Sequence, residues 1–137
     1  MKKQDQIYIS VIIPVHNTAE YLPVCLDSLL KQTMREIEFI LINDGSTDNS
    51  GEILASYVKK DSRFRLITQE NRGFAGARNR GLEEARGNYV GFVDSDDWID
   101  EHMYSVLWEE VCRAEEKPDI VQCSYIHEYL PEARSAP

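Results

Sequence analysis

Apolar runs alternate along the chain with segments of helical period. Ile7–Pro14 (IYISVIIP) is β-branched and nearly continuous in apolar residues, which predicts a strand covered on both faces, ended by Pro14. Asn17 to Thr33 predicts a helix with Leu22, Leu26, Leu29 and Leu30 as its buried stripe. Asn17 can cap it, and Glu20 stands at the capping-box position three residues on. Ile37–Asn43 (IEFILIN), Phe64–Thr68 (FRLIT), Tyr89–Val93 (YVGFV) and Asp119–Ile126 (DIVQCSYI) read as further strands. Between them Gly51–Lys60, Gly73–Ala85 and Asp100–Glu116 read as helices, with Gly87 and Pro118 as stop signals.

The pattern is βαβαβαβαβ. It predicts an α/β fold with a mainly parallel sheet, right-handed crossovers and helices on both faces. One domain is expected over residues 1–126, with residues 127–137 a frayed tail. Ligands of such sheets bind beyond the carboxyl ends of the strands. That rule singles out Pro14–Asn17, Asn43–Ser46, Gln69–Gly73 and Asp94–Asp97.

Charge narrows the choice of ligand. With 15 Lys and Arg against 24 Asp and Glu, the formal net charge is −9, which disfavours non-specific nucleic-acid binding. A phosphorylated ligand would need a cation to offset the repulsion. Cys25, Cys112 and Cys123 form no CxxC and no zinc spacing, so they read as reduced thiols of a cytosolic protein. The N-terminus carries no signal-peptide pattern, and no apolar run reaches the roughly 18 residues of a membrane span.

Four segments carry chemistry. Asp94-Ser95-Asp96-Asp97 places three carboxylates in four positions at a strand end; a hard divalent ion, Mg²⁺ or Mn²⁺, would relieve their repulsion. The bland alternative is a solvated turn in which Asp97 or Asp100 caps the next helix. Asp44, directly after a strand, can accept a hydrogen bond from a ligand N–H such as that of uracil; alternatively it bonds its own turn. Asp48 reads as a helix-start residue. The backbone of Pro14-Val15-His16-Asn17 can line a flat base, with Glu20 either a cap or a ligand contact, while the His16 side chain reads as a lone histidine with no catalytic role. In Asn71–Asn79 the small residues around Gly73 and Gly76 let a helix start approach an anion, with Arg72 and Arg78 adding charge. Alternatively they serve tight helix–sheet packing, with Arg78 paired to an acid. No GxGxxG and no GxxxxGK[ST] occurs. Trp98 and Trp108 read as packing residues.

Taken together, Val11–Asn17, Asn43–Asp48, Asn71-Arg72-Gly73 with Ala77–Gly81, and Asp94–Asp97 resemble the family 2 glycosyltransferases of the GT-A fold, in the family's order and spacing. The resemblance covers residues 7–126. It implies a nucleotide-sugar donor, usually a UDP-sugar, a Mn²⁺ or Mg²⁺ ion, and sugar transfer with inversion to a saccharide or lipid-linked saccharide acceptor, as in polysaccharide biosynthesis. It places Pro14, Val15, Asn17 and Glu20 around the base and Asp44 on the uracil. Gly76 and Arg78 fall beside the nucleotide. Asp94, Ser95 and Asp96 form the DxD motif, with Asp96 the direct metal ligand and Asp94 its companion.

In the family the catalytic domain continues and supplies the acceptor surface and general base. No carboxylate after Ser124 matches that base, so the catalytic residue is not assigned and the chain is expected to hold the donor half. A non-catalytic nucleotide- or partner-binding remnant shares every donor motif and is the competing expectation. A receiver domain and a DxD phosphatase both place their acids after the first strand, whereas here they follow the fourth. A cytoplasmic location, at the inner face of a membrane, and self-association through uncovered apolar surface complete the expectations.

Overall fold

Ile9–Val15 (β1), Ile37–Asp44 (β2), Phe64–Gln69 (β3) and Tyr89–Phe92 (β4) form a parallel sheet in the order β3-β2-β1-β4. Leu22–Leu30 (α1), Ser50–Lys60 (α2), Gly73–Glu84 (α3) and Met103–Arg113 (α4) complete the elements. These come from a computed structural model that describes residues 6–127. The predicted tail beyond His127 lies outside the described residues.

Every residue of β1 and β2 is buried, as their unbroken apolar runs require of strands covered on both sides. The period-2 alternation then sorts them by face. Ile12, Ile40 and Ile42 pack against Ala77 of α3. On the other face Phe39 and Phe64 stack with centroids 5.0 Å apart, and Tyr57 of α2 meets Phe64 edge-on at 6.2 Å. α3 lies close enough that a Cβ on Gly81 would fall 2.4 Å from the Ile12 side chain.

Several expected boundaries move. β1 runs through Pro14 to Val15. Ile12 O accepts Val93 N at 3.1 Å, so the even positions of β1 address β4, which ends at Phe92 opposite Ile12. Pro14 therefore has no ladder partner to forgo. The first helix begins at Leu22 rather than Asn17, because Asn17 sits at φ 51° in the left-handed region and a turn through Thr18 intervenes. No capping box forms: Tyr21 precedes the helix without a side-chain cap, and Pro23 supplies the preset φ of a first turn. Gly87 is not the stop of α3, which ends at Glu84. It lets the chain pass beside β1, where a Cβ would lie 2.7 Å from Ser10 N.

The far end of α1 is tied down by a distant residue. Arg63, just before β3, donates to Leu30 O (3.0 Å), Gln32 O (2.8 Å) and Met34 O (2.7 Å). Its Nη2 also pairs with Asp61 at 3.0 Å.

By contact density the chain divides after Ser105 into two units. In the second, Asp119–Ile126 forms no strand, and Ile120, Tyr125 and Ile126 are more than four-fifths exposed. A strand needs a hydrogen-bonded neighbour, and the described residues of this unit contain no other strand. The apolar alternation there predicts a face, not a partner.

Candidate functional site

The strand order reverses between β1 and β4: the chain steps outward through β2 and β3, then returns over the sheet to β4. In open α/β sheets ligands enter at the carboxyl ends beside such a reversal. The segments after β1, β2, β3 and β4 converge there.

After the first three strands lies a small pocket of about 40 Å³, lined by Pro14, Val15, His16, Asp44, Asn71, Gly73, Phe74 and Ala77. Asp44 is only 3% exposed. Its Oδ1 accepts Gln69 Nε2 at 2.9 Å and the Arg72 backbone N–H at 2.8 Å. The carboxylate thus bonds the end of β3 and the segment after it instead of its own turn. Among the described residues its Oδ2 has no hydrogen-bond partner. Gly45, at φ 69°, makes this meeting of segments possible, since a Cβ there would lie 2.7 Å from Asn71 N.

Asn17 works as a loop clamp. Its Oδ1 accepts Thr47 N at 2.7 Å and Asp48 N at 3.2 Å, while its own N–H donates to Ser46 Oγ at 3.1 Å. Asp48 accepts Ser50 N at 2.9 Å at the start of α2, as a helix-start residue does, and Ala19 N at 3.2 Å. Ser50, followed by the backbone of Ala19, holds its carboxyl below the usual carboxylate range.

Beyond β4, the carboxylates of Asp94, Asp96 and Asp97 offer oxygens within 4.8 Å of one another, and all three residues are exposed. Partial burial, followed by the charges of Asp96 and Asp94, raises the Asp97 carboxyl above its ordinary value. Burial, followed by the same three acids, pushes the Cys25 thiol up to about 12; its Sγ donates to Asp94 O at 3.6 Å. Arg78 Nη2 pairs with Asp94 Oδ1 at 3.3 Å. Ser95 is buried between them, its hydroxyl accepting from Thr18 Oγ1 at 2.9 Å, which ties this loop to the one after β1. The donor set is all hard oxygen and crowded with like charge, which fits Mg²⁺ or Mn²⁺.

Of the residues singled out in the sequence, Pro14, Val15 and Asp44 share the pocket. Asp94, Asp96 and Ser95 stand in the acidic loop, with Arg78 reaching it from α3. Gly76 is half-buried, its would-be Cβ position taken by the Arg72 side chain at 2.5 Å. Glu20 is exposed on the turn before α1. The small residues of α3 do serve helix–sheet packing, through Ala77 and Gly81, and Arg78 does pair with an acid. His16, read as a lone histidine, lines the pocket; its place directly after Pro14 and Val15 was the available signal. Asn71 and Phe74 were visible only as members of a Gly-rich segment.

Residues 10–134 match the Glycosyl transferase family 2 profile. The chain belongs to the family 2 glycosyltransferases. It is 46% identical over 117 residues to the uncharacterised glycosyltransferase EpsJ of Bacillus subtilis (strain 168), covering 85% of this chain and 33% of EpsJ. It resembles S. aureus TarS, crystallised as residues 1–349 with UDP-GlcNAc, at a TM-score of 0.70 and 32% identity, covering 77% of this chain and 32% of that one. The fold also matches the mannosyltransferase PcManGT of Pyrobaculum calidifontis, crystallised with GDP-Man and Mn²⁺, at a TM-score of 0.67 and 24% identity over 73% of this chain and 31% of that one. The fold is therefore GT-A, and this family 2 chain spans about a third of the length of such relatives.

Proposed function

We propose that this chain is the donor-binding part of an inverting, metal-dependent glycosyltransferase, and that its donor is a UDP-sugar. One observation carries the reading: a pocket with a braced, buried carboxylate, Asp44, shares its end of the sheet with a crowded carboxylate cluster. A base and a metal-bound diphosphate need those two features side by side. The TarS complex with UDP-GlcNAc supports the choice of uridine.

In this reading Pro14 and Val15 wall the base, and Asp44 Oδ2 accepts the imide N–H of uracil. The bonds from Gln69 and Arg72 hold that carboxylate in place, so little freedom is lost when the base arrives. Asp96 and Asp94 hold the cation, with Ser95 anchoring their loop. A bound Mg²⁺ or Mn²⁺ supplies Lewis-acid stabilisation of the negative charge that develops on the departing diphosphate. Arg78, now paired with Asp94, is placed to add a charge-assisted bond to the same diphosphate. Asn17 and Asp48 keep the first two loops at fixed spacing. The acceptor, a saccharide or lipid-linked saccharide, and the base that deprotonates its hydroxyl are assigned to no residue of this chain.

Calorimetric titration of UDP tests the reading, with Mn²⁺, with EDTA, and on Asp96→Ala. Binding that requires Mn²⁺ and disappears in the variant is the expected result. Absence of binding under every condition refutes it.

A further inference from the structure

We propose that His16 is a positioning residue of the donor pocket, and that it works only as a neutral imidazole protonated on Nδ1, clamping the loops after β1 and β3 to the end of β2. The role in the pocket rests on the nucleotide reading above; the clamp itself rests on hydrogen bonds.

His16 is half-buried, and Nδ1 lies 2.8 Å from Asp44 O. A carbonyl can only accept, so Nδ1 carries a proton. The side-chain amides of two asparagines meet the rest of the ring. Asn17 Nδ2 lies 3.4 Å from Nε2. Asn71 Nδ2 lies 3.1 Å from Nδ1 and 3.3 Å from Nε2, near-equal distances that put this amide over the ring face. Neither amide is free to turn over. Asn17 Oδ1 is held by Thr47 N and Asp48 N, and Asn71 Oδ1 accepts Gly73 N at 3.2 Å. Backbone N–H groups only donate, so each oxygen must stay where it is and each NH₂ must face His16. An amide donor suits a bare Nε2 lone pair and the electron-rich face of a neutral ring. A protonated ring would set positive charge and a new N–H against both.

The network therefore selects one tautomer and one charge state, and its three anchors lie on three segments: the loop after β1, the last residue of β2 and the loop after β3. The charged residues of the elements that meet at His16 are Asp44 at the end of β2 and, on the flanking loops, Glu20, Asp48, Glu70 and Arg72. Protonation of His16 must release Asn17 or Asn71 from the ring, which loosens the pocket wall that His16 forms. A proton taken up by the ring therefore weakens donor binding, and an amide in its place, which takes up none, does not.

Two readouts test this. Long-range ¹H–¹⁵N NMR of the nucleotide-free chain at pH 8 should show His16 protonated on Nδ1 and bare on Nε2; a proton on Nε2 instead overturns the clamp. UDP is then titrated with Mn²⁺ at pH 8 and pH 6 into the chain and into His16→Gln, whose amide keeps a donor and an acceptor but takes up no charge. The unsubstituted chain should lose about threefold more affinity on acidification than His16→Gln, which is weaker at pH 8; a whole hydrogen bond, about tenfold, would be lost only once every ring is charged. Losses arising from the carboxylates, the cation or the phosphates are common to both proteins. Equal losses in the two overturn the proposal. If neither protein binds UDP at either pH, the nucleotide reading fails, and the tautomer still decides the clamp.

Discussion

Replacing Arg63 with Met should come close to unfolding the first unit while leaving its ligand site untouched in whatever remains folded. The Arg63 side chain is 7% exposed and its partner Asp61 15%. The guanidinium satisfies the carbonyls of Leu30, Gln32 and Met34, where α1 ends and the chain turns toward β2. Methionine fills most of the volume but donates nothing. Three carbonyls then lose their donor in a buried place, and the Asp61 carboxylate keeps only the Arg63 backbone N–H at 2.9 Å. Removing one partner of a buried pair costs about 3–5 kcal/mol. A unit of this size has about 5–15 kcal/mol in total, so from a fifth to the whole of its stability is at stake. Urea unfolding followed by far-ultraviolet circular dichroism reads this directly. At a slope of about 1–2 kcal/mol/M the midpoint should fall by about 2 M with the slope unchanged. Arg63→Lys should recover little, because an ammonium cannot reproduce a fork that serves three carbonyls and a carboxylate. Arg63 lies at the amino end of β3 and the pocket at the carboxyl end, so UDP affinity of the folded fraction should not change. A midpoint loss below about 0.5 M would show that water replaces the guanidinium at no cost and would refute the reasoning.

The remaining predictions follow from other contacts. Burial raises the Asp61 carboxyl, and the hydrogen bonds and charge of Arg63 outweigh it, holding the group below the usual carboxylate range. A depressed folded pKa contributes stability above the unfolded value of about 3.9 and loses it as pH falls through the folded one. The urea midpoint should therefore drop below about pH 4, and Asp61→Asn should lack that part of the drop. Gly81→Ala should destabilise by about 1–3 kcal/mol in the same assay, since the added Cβ would meet the buried Ile12 side chain at 2.4 Å. Saturating Mn²⁺, at about 100 times its dissociation constant, should stabilise the chain by about 2.7 kcal/mol, an effect absent from Asp96→Asn. A thermal-shift series with Mn²⁺ and then EDTA reads it, and equal shifts in both proteins would remove Asp96 from the metal site.

The four sheet strands, their order in the chain and the segments at their carboxyl ends can be read from the sequence because each rests on local information. A β-branched run such as Ile37–Asp44 has few alternatives, and Asp44, Asp94 and Asp96 stand at strand ends whatever the sheet does next. What the sequence leaves open is set by contacts between residues far apart in it. Asn17 has the composition of a helix cap, yet its side chain is drawn to Thr47 and Asp48, about 30 positions away, and the helix starts five residues later. The end of α1 depends on Arg63, and the tolerance of β1 for Pro14 depends on where β4 stops. Asp119–Ile126 carries the alternation of a strand without a neighbour among the described residues of its unit to pair with. His16 shows the same limit at the site. Residue type and spacing make it a lone histidine, and only the convergence of three segments gives its two nitrogens opposite roles. Hydrophobic periodicity is a property of a segment, whereas a hydrogen bond is a property of two, and tertiary structure decides which two meet.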